Sequence, residues 1–196
     1  GFQLGRHLFY DPILSRDTTI SCASCHLQAT GFTHVDHDLS HGIEGKIGTR
    51  NTLALMNLAW TKKFMWDGGV NHLDIQPLAP ITSAVEMDET LENVVSKLQK
   101  SEKYRDLFEK AFGTSKIDST QITKAIAQFE RTLVSGNSKF DKFLLGEDTL
   151  TVEEQNGFNV FMDEAKGDCF HCHGDIVSNN LFTDNIFHNN GLDTVA

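Results

Sequence analysis

All four cysteines of this 196-residue sequence lie in two Cys-x-x-Cys-His strings, CASCH at 22–26 and CFHCH at 169–173. In this pattern each thiol adds to one vinyl group of a haem, and the adjacent histidine is placed to ligate the iron. The strings therefore predict two covalently attached c-type haems. The predicted attachment residues are Cys22, Cys25 and His26 for the first haem, and Cys169, Cys172 and His173 for the second.

Three other uses of paired cysteines explain the strings less well. Zinc ribbons rarely place a histidine directly after both cysteine pairs. Structural disulfides would be strained at this spacing and would leave both histidines without a role. A thioredoxin-like redox pair expects a βαβ context, which the sequence lacks. Haem attachment is favoured, and in bacteria it implies maturation outside the cytoplasm, so we expect a periplasmic or otherwise exported protein.

The elements that must position these strings are predicted to be helices. Apolar residues recur at helical spacing along much of the chain, and capping residues mark several ends. No run is typical of a strand. The predicted helices are 91–98 with Thr90 as N-cap, 104–111 ending at Gly113, 122–133 ending near Gly136, and one beginning at a Thr151–Glu154 capping box.

The order of these features predicts an all-α protein with two cytochrome c-like helical haem domains. Polar, glycine-containing stretches at 31–50 and 174–191 follow the two strings, as expected for loops that wrap a cofactor. We place the first domain at 1–135 and the start of the second at 136–196. Because about sixty residues are few to enclose a haem, we expect the second domain to be incomplete at its C-terminus.

Composition limits the classes of partner. The formal net charge is −10, which disfavours nucleic acid and anionic membranes as partners and fits a basic or dipolar protein, or simply solubility. No apolar run has membrane-spanning length, and the first residues do not form an export leader. We therefore interpret the chain as a mature or trimmed protein without a membrane span.

Several further strings carry a family resemblance. They are LGRHLFYDPILS at 4–15, GTRNT at 48–52, MWDGG at 65–69, VEMDET at 85–90 and FDKFLLG at 140–146. With the two haem strings, their order and spacing resemble the bacterial di-haem cytochrome c peroxidases and the wider superfamily that includes the MauG-type enzymes. The resemblance implies that the first haem reacts with peroxide and that the second is a high-potential electron store. All four methionines precede the second string, so we expect that haem's distal ligand beyond residue 196.

The resemblance also assigns roles to three side chains. Glu86 would be the catalytic acid–base that takes a proton from peroxide and returns it. Gln76 would hydrogen-bond the peroxide or orient a water, and Trp66 would lie between the two haems. The alternatives are a surface acid in an acidic turn for Glu86 and a core tryptophan for Trp66. Trp60 matches no family element and is expected to pack in the interior.

The resemblance also implies metal-binding roles for two loop residues. His41 would be a switchable distal ligand of the first haem iron, with His34 and His37 as competitors and a solvated loop histidine as the alternative. Asn51 would offer its side-chain oxygen to a calcium ion, or serve as a loop or capping residue.

Three functions follow from these predictions. The first is reduction of hydrogen peroxide with electrons from a small donor such as reduced cytochrome c. The second is a MauG-type oxidation of residues on a partner protein, a group that the string at 182–193 also resembles. The third is a di-haem electron carrier without catalysis. By family analogy we also expect a homodimer.

Overall fold

The computed structural model describes residues 1–174 and 181–189, and the helical fold predicted from the sequence is confirmed. Within these residues there are nine α-helices and no strand, only isolated β-bridges. The chain divides into two compact units, Gly1–Val134 and Ser135–Ala196. No helix in the described part of the chain is both long enough and apolar enough to cross a membrane.

The core of the first unit forms where its first and last helices pack together. Helix α1 (Phe2–Tyr10) meets the long helix α6 (Ser119–Glu130) at Gly5. A Cβ on Gly5 would lie 1.9 Å from the Ala125 carbonyl oxygen, so only glycine allows the two backbones to come this close. Fully buried apolar side chains fill the surrounding interior; the largest are Tyr104, Phe9, Phe108, Leu4 and Leu8.

The start of one central helix and the end of the next are as the sequence predicts. Helix α4 (Leu91–Lys100) starts at Thr90, whose hydroxyl accepts a hydrogen bond from the Asn93 amide at 3.2 Å. Helix α5 (Glu102–Phe112) ends at Gly113, which has a left-handed φ of 73°. Such caps satisfy backbone groups that have no partner within the helix.

Helix α6 ends at Glu130, so the prediction that it runs to near Gly136 is wrong. Beyond Glu130 the amides of Thr132 and Leu133 bond three residues back, which tightens the chain into a turn. The Leu133 carbonyl then accepts a hydrogen bond from the Asn57 amide at 2.8 Å. This long-range contact replaces the helical pattern that periodicity alone would extend.

Two short helices carry the residues of the first site. Helix α2 (Cys22–Cys25) begins with a capping box between Ser21 and Ser24. Helix α3 (Leu78–Thr82) lies between Gln76 and Glu86, two residues with predicted catalytic roles. Most of the chain between α2 and α3 is irregular, and the bridges Leu27–Thr33, His41–Ile47 and Phe64–Val70 fold it into compact loops.

The second unit contains helices α7 (Lys139–Leu144), α8 (Val152–Met162) and α9 (Phe170–His173). The predicted Thr151–Glu154 capping box is present at the start of α8. Aromatic rings from separate elements of this unit face one another at centroid distances of 5.7–6.4 Å; they are Phe140, Phe143, Phe158, Phe161 and Phe182. None of the fully buried hydrophobic residues lies among the described residues of this unit.

Candidate functional site

The first Cys-x-x-Cys-His string opens onto a cleft in the first unit. The cleft has about 550 Å³ of free space, part of it open to solvent. Cys22, Cys25 and His26 all line it. Most of its other walls are apolar, from Ile20, Leu55, Pro77, Pro80, Ile81, Met87 and Ile126. An apolar slot with two thiols and an imidazole fits the edge and face of a haem, so the residues present suit the predicted cofactor.

The environment of His26 and the thiols agrees with this fit. The His26 Nδ1 lies 2.9 Å from the Phe32 carbonyl oxygen, the kind of hydrogen bond that orients a metal-ligating imidazole. The other ring nitrogen, Nε2, would ligate the iron. Burial lowers the pKa of His26 and raises the pKa of both Cys22 and Cys25. The histidine is therefore neutral, as a ligand must be.

Glu86 and Gln76 line the same cleft as the first string. Gln76 lies just before α3 and Glu86 just after it, so the short helix brings residues ten positions apart to one wall. Burial raises the pKa of Glu86, and a hydrogen bond with the Ser83 side chain offsets part of that effect. Glu86 is half-buried and lines the cleft, which favours the catalytic role over the surface-acid alternative, and that role stays a prediction.

A loop from residue 40 to 48 holds the Glu86 segment in place. The Ile43 amide donates to the Glu86 carbonyl at 2.7 Å, and Lys46 Nζ donates to the Ala84 carbonyl at 3.0 Å. Gly42 lies so close that a Cβ there would be 2.1 Å from the Val85 carbonyl oxygen. The position of Glu86 is thus set by contacts with a distant loop as well as by α3.

The same loop carries His41, whose ring is not among the groups that line the cleft. Its imidazole stacks on His37 at a centroid distance of 4.3 Å, and His37 stacks on His34 at 4.9 Å. The backbone of His41 is nearer the haem string, since its carbonyl accepts a hydrogen bond from Cys25 Sγ at 3.2 Å. The predicted ligand role of His41 stays a prediction, and the structure places its two competitors in the same stack.

Neither tryptophan is a core residue. Trp60 is 57% exposed, so the prediction that it packs in the interior is wrong. Trp66 is 51% exposed, which excludes the core-tryptophan alternative for this residue. Its indole Nε1 donates to the Asn51 carbonyl at 2.8 Å, which anchors the ring on the first unit. The assigned role of Trp66 stays a prediction.

Asn51 uses its side-chain amide within its own loop. Its Nδ2 donates to the carbonyls of His37 and Asp38, each at 3.3 Å. Among residues 1–174 and 181–189, no group of three or more His, Cys, Asp or Glu is placed to hold a metal ion. The role of Asn51 as a calcium ligand stays a prediction.

The structure adds one residue that the sequence analysis missed. Glu130, at the end of α6, is only 3% exposed and lines the cleft. Burial raises its pKa to about 8, and the charge of Arg131 lowers it only in part. The signal was available, because Glu130 follows Ile126 by four residues and therefore shares the buried face of the helix.

The second string repeats some of these features in the second unit. The His173 Nδ1 lies 3.2 Å from the Phe182 carbonyl oxygen. This contact resembles the one between His26 Nδ1 and the Phe32 carbonyl oxygen in the first unit. The Phe161 ring is 6.3 Å from the His173 ring and also lines an open apolar space of about 870 Å³ with Phe140, Phe158 and Phe182. A flat apolar cofactor suits this aromatic surface. Residues 190–193 of the string at 182–193 lie outside the described residues.

Comparison with known sequences identifies relatives along nearly the whole chain. The family model of the di-haem cytochrome c peroxidases matches residues 1–149. A methylamine utilization protein MauG from Methylophilus methylotrophus is 40% identical over 96% of this chain and 55% of its own length. A cytochrome c551 peroxidase from Nitrosomonas europaea is 36% identical over 87% of this chain and 50% of its own length.

Solved structures show the same fold. A MauG-like protein associated with microbial copper homeostasis superposes with a TM-score of 0.84 at 34% identity, over 95% of this chain and 55% of that one. The di-haem peroxidase BthA from Burkholderia thailandensis superposes with a TM-score of 0.81 at 23% identity, over 93% and 52% of the two chains. The chain thus spans about half the length of these relatives.

Proposed function

Because the chain belongs to the di-haem cytochrome c peroxidase family, we propose that it carries the peroxide-reducing site of a haem enzyme supplied with electrons by a small c-type cytochrome. The observation that carries this proposal is that Glu86, Gln76 and all three attachment residues of the first haem line one cleft. An acid, an amide and a haem-binding string in one partly closed apolar space are the groups that peroxide cleavage needs.

The chemistry assigned to the chain's residues is proton transfer. Reduction of one hydrogen peroxide consumes two electrons and two protons and yields two waters. The haem, when bound, supplies an open iron position for peroxide and the electrons that break its O–O bond. Glu86 takes the proton from the inner oxygen and delivers it to the outer oxygen, which leaves as water. Burial raises its pKa above that of a solvated carboxyl, which favours a group that must return a proton as well as accept one.

Gln76 and Trp66 support that chemistry in different ways. Gln76 Nε2 donates to Met65 Sδ at 3.5 Å, which holds the amide at the wall of the cleft. From there its amide orients the peroxide by hydrogen bonding. Trp66, anchored through Asn51, relays electrons to the first haem. Cys169, Cys172 and His173 would hold a second haem, which would store electrons from the external donor, and His41 would be a switchable distal ligand of the first haem iron.

The setting proposed for the enzyme follows from its cofactor and its relatives. Covalent haem attachment implies an exported, periplasmic protein, and one relative is named a cytochrome c551 peroxidase, which fits a cytochrome as donor. We also propose a homodimer and a calcium ion bound near Asn51 in the complete protein. Each of these proposals can be tested separately from the peroxide reaction.

The decisive experiment compares Glu86→Gln with the unaltered haem-loaded protein. Loss of the acid–base should slow peroxide-dependent oxidation of reduced cytochrome c about 10²–10⁴-fold. The matched control is Glu92→Gln, which makes the same chemical change at an exposed position of α4 and should leave turnover unchanged. The assay is run with and without prior reduction of the second haem. Equal turnover in all three proteins would refute the role of Glu86.

A MauG-type reaction is the second candidate. Two observations favour it: a relative named MauG is 40% identical, and the His41 ring does not line the cleft. A first haem without a histidine on its distal side would need no prior reduction of the second. Spectral changes on peroxide addition, without oxidation of any small cytochrome, would support this alternative.

A further inference from the structure

Glu130 is an acid buried without a hydrogen-bond partner for one of its oxygens. Its Oε2 has almost no contact with solvent and no partner among the described residues. The nearest cation along the chain, Arg131, turns away and forms an ion pair with Asp74 at 2.7 Å. A carboxyl in this setting is expensive to ionise unless a positive charge lies near it, so its protonation state is sensitive to the charge in the cleft.

Among the charged groups on the described elements around Glu130, Arg131 lowers its pKa and offsets the effect of burial only in part. Helix α1 packs on α6 with apolar residues and leaves Arg6 and His7 exposed. On α4, Lys97 is paired with Glu89. From α2 the facing titratable group is Cys22, whose thiol pKa is raised first by burial and next by the charge of Glu130.

The free carboxyl lies beside the space that the first haem would occupy. Glu130 and Cys22 line the same cleft, so the carboxyl is near the side at which the haem is attached. Glu86 lines the same cleft and its charge also raises the pKa of Cys22 and Cys25, but unlike Glu130 Oε2 it has a side-chain partner, Ser83. A charge change on the iron therefore acts on Glu130 through a medium of low polarity, where such interactions are strong.

We propose that Glu130 is a positioning residue that couples the redox state of the first haem to one proton. When the iron gains one electron, the Glu130 carboxylate takes up one proton from solvent, and it releases that proton when the iron is oxidised. The total charge in the cleft then stays constant, because the proton replaces the positive charge that the iron loses and the buried carboxylate is not left uncompensated. The inference rests on the proposed haem, but not on peroxide as substrate.

Burial already places the titration in an accessible range, since it raises the Glu130 pKa to about 8. Ferric iron carries one more positive charge than ferrous iron, so oxidation lowers the pKa from its value in the reduced protein. Between those two pKa values the midpoint potential should fall as pH rises. A tenfold change in proton concentration corresponds to at most ~59 mV for a one-electron couple.

The test is an optical redox titration of the haem-loaded protein from about pH 6 to about pH 9. It uses a chemical reductant and no peroxide, and the wave of the second haem serves as an internal reference. In the unaltered protein the midpoint potential of one haem should fall as pH rises, with a slope approaching ~59 mV per pH unit. Glu130→Gln should remove the pH dependence of that midpoint potential. Glu86→Gln, which removes the other acid of the cleft, should leave the pH dependence in place.

Glu130→Asp keeps the carboxyl and should keep the slope, in a shifted pH range. A slope that is the same in Glu130→Gln, or one lost in Glu86→Gln, would overturn the proposal. If Glu130→Gln takes up no haem, Glu130→Asp still tests the proposal. The same pH dependence of the midpoint potential in Glu130→Asp as in the unaltered protein would overturn it. Peroxide turnover is measured separately, so failure of the coupling is distinguishable from failure of the proposed function.

Discussion

The contact between Gly42 and the Glu86 segment gives a sharp prediction for Gly42→Ala. The added Cβ would lie 2.1 Å from the Val85 carbonyl oxygen and 2.6 Å from the Glu86 Cα. Both neighbours are backbone atoms, which cannot rotate away as the end of a side chain can. The loop and the Glu86 segment must therefore separate by about 1 Å to reach an ordinary contact distance.

The size of the effect follows from that displacement. Overpacking of a buried site costs about 1–3 kcal/mol of unfolding free energy. A shift of about 1 Å in a catalytic group costs roughly 10²-fold in rate. Because Gly42 has no left-handed backbone conformation, with φ at −118°, the whole effect should be steric. We expect a folded, haem-loaded variant with about 1% of the normal peroxide turnover.

The assay is peroxide-dependent oxidation of reduced cytochrome c, with haem content and denaturant unfolding measured on the same samples. Gly45→Ala is the control, since it lies in the same loop and its Cβ would meet nothing within 4 Å. Its φ of 70° adds a strain of about 1 kcal/mol but no clash with the Glu86 segment. Unchanged turnover in Gly42→Ala, or equal losses in both variants, would refute the proposed positioning of Glu86.

Three further predictions concern stability. Lys97→Met should lower the unfolding free energy by about 3 kcal/mol in denaturant titrations, because it leaves the buried Glu89 carboxylate unpaired. Burial raises the Glu89 pKa, but hydrogen bonds from Lys97 and Asn93 more than offset this and lower it below 4.5. The stability contributed by Glu89 is therefore fully present above that pH and is lost as the pH falls below it. Glu89→Gln should therefore reduce the dependence of the unfolding free energy on pH in the acid range. Thr151→Ala should cost about 1 kcal/mol through loss of the α8 cap.

Local features were predicted well from the sequence. The haem strings are read directly, because their chemistry needs fixed residue types at a fixed spacing. The start of α4 at Thr90 and the end of α5 at Gly113 follow from hydrogen bonds within a few residues. The capping box of α8 is local in the same sense. Such features need no knowledge of the tertiary structure, so sequence reasoning finds them.

Features that depend on distant contacts were predicted less well. The end of α6 is set by a hydrogen bond between Asn57 and Leu133, which are far apart in the sequence. The hydrophobicity of Trp60 predicts burial, but its side chain is exposed, because the fold of the loop around it decides how much of the side chain is covered. Glu130 was missed because an acid on an apolar helix face was not treated as a signal. Residue type and spacing describe neither long-range pairing nor the partners of a buried charge.

The two acids of the cleft are suited to different tasks by their surroundings. Glu86 lies in an irregular segment, has Ser83 as a hydrogen-bond partner and is only half-buried, so it can exchange protons with a substrate and with water. Glu130 is almost fully buried at the end of a long helix and lacks such a partner on Oε2. Different environments for paired carboxyls commonly separate their roles. Because the buried Glu130 carboxyl is expensive to ionise without a nearby positive charge, its proton should follow the charge on the iron, while that of Glu86 follows the chemistry of peroxide.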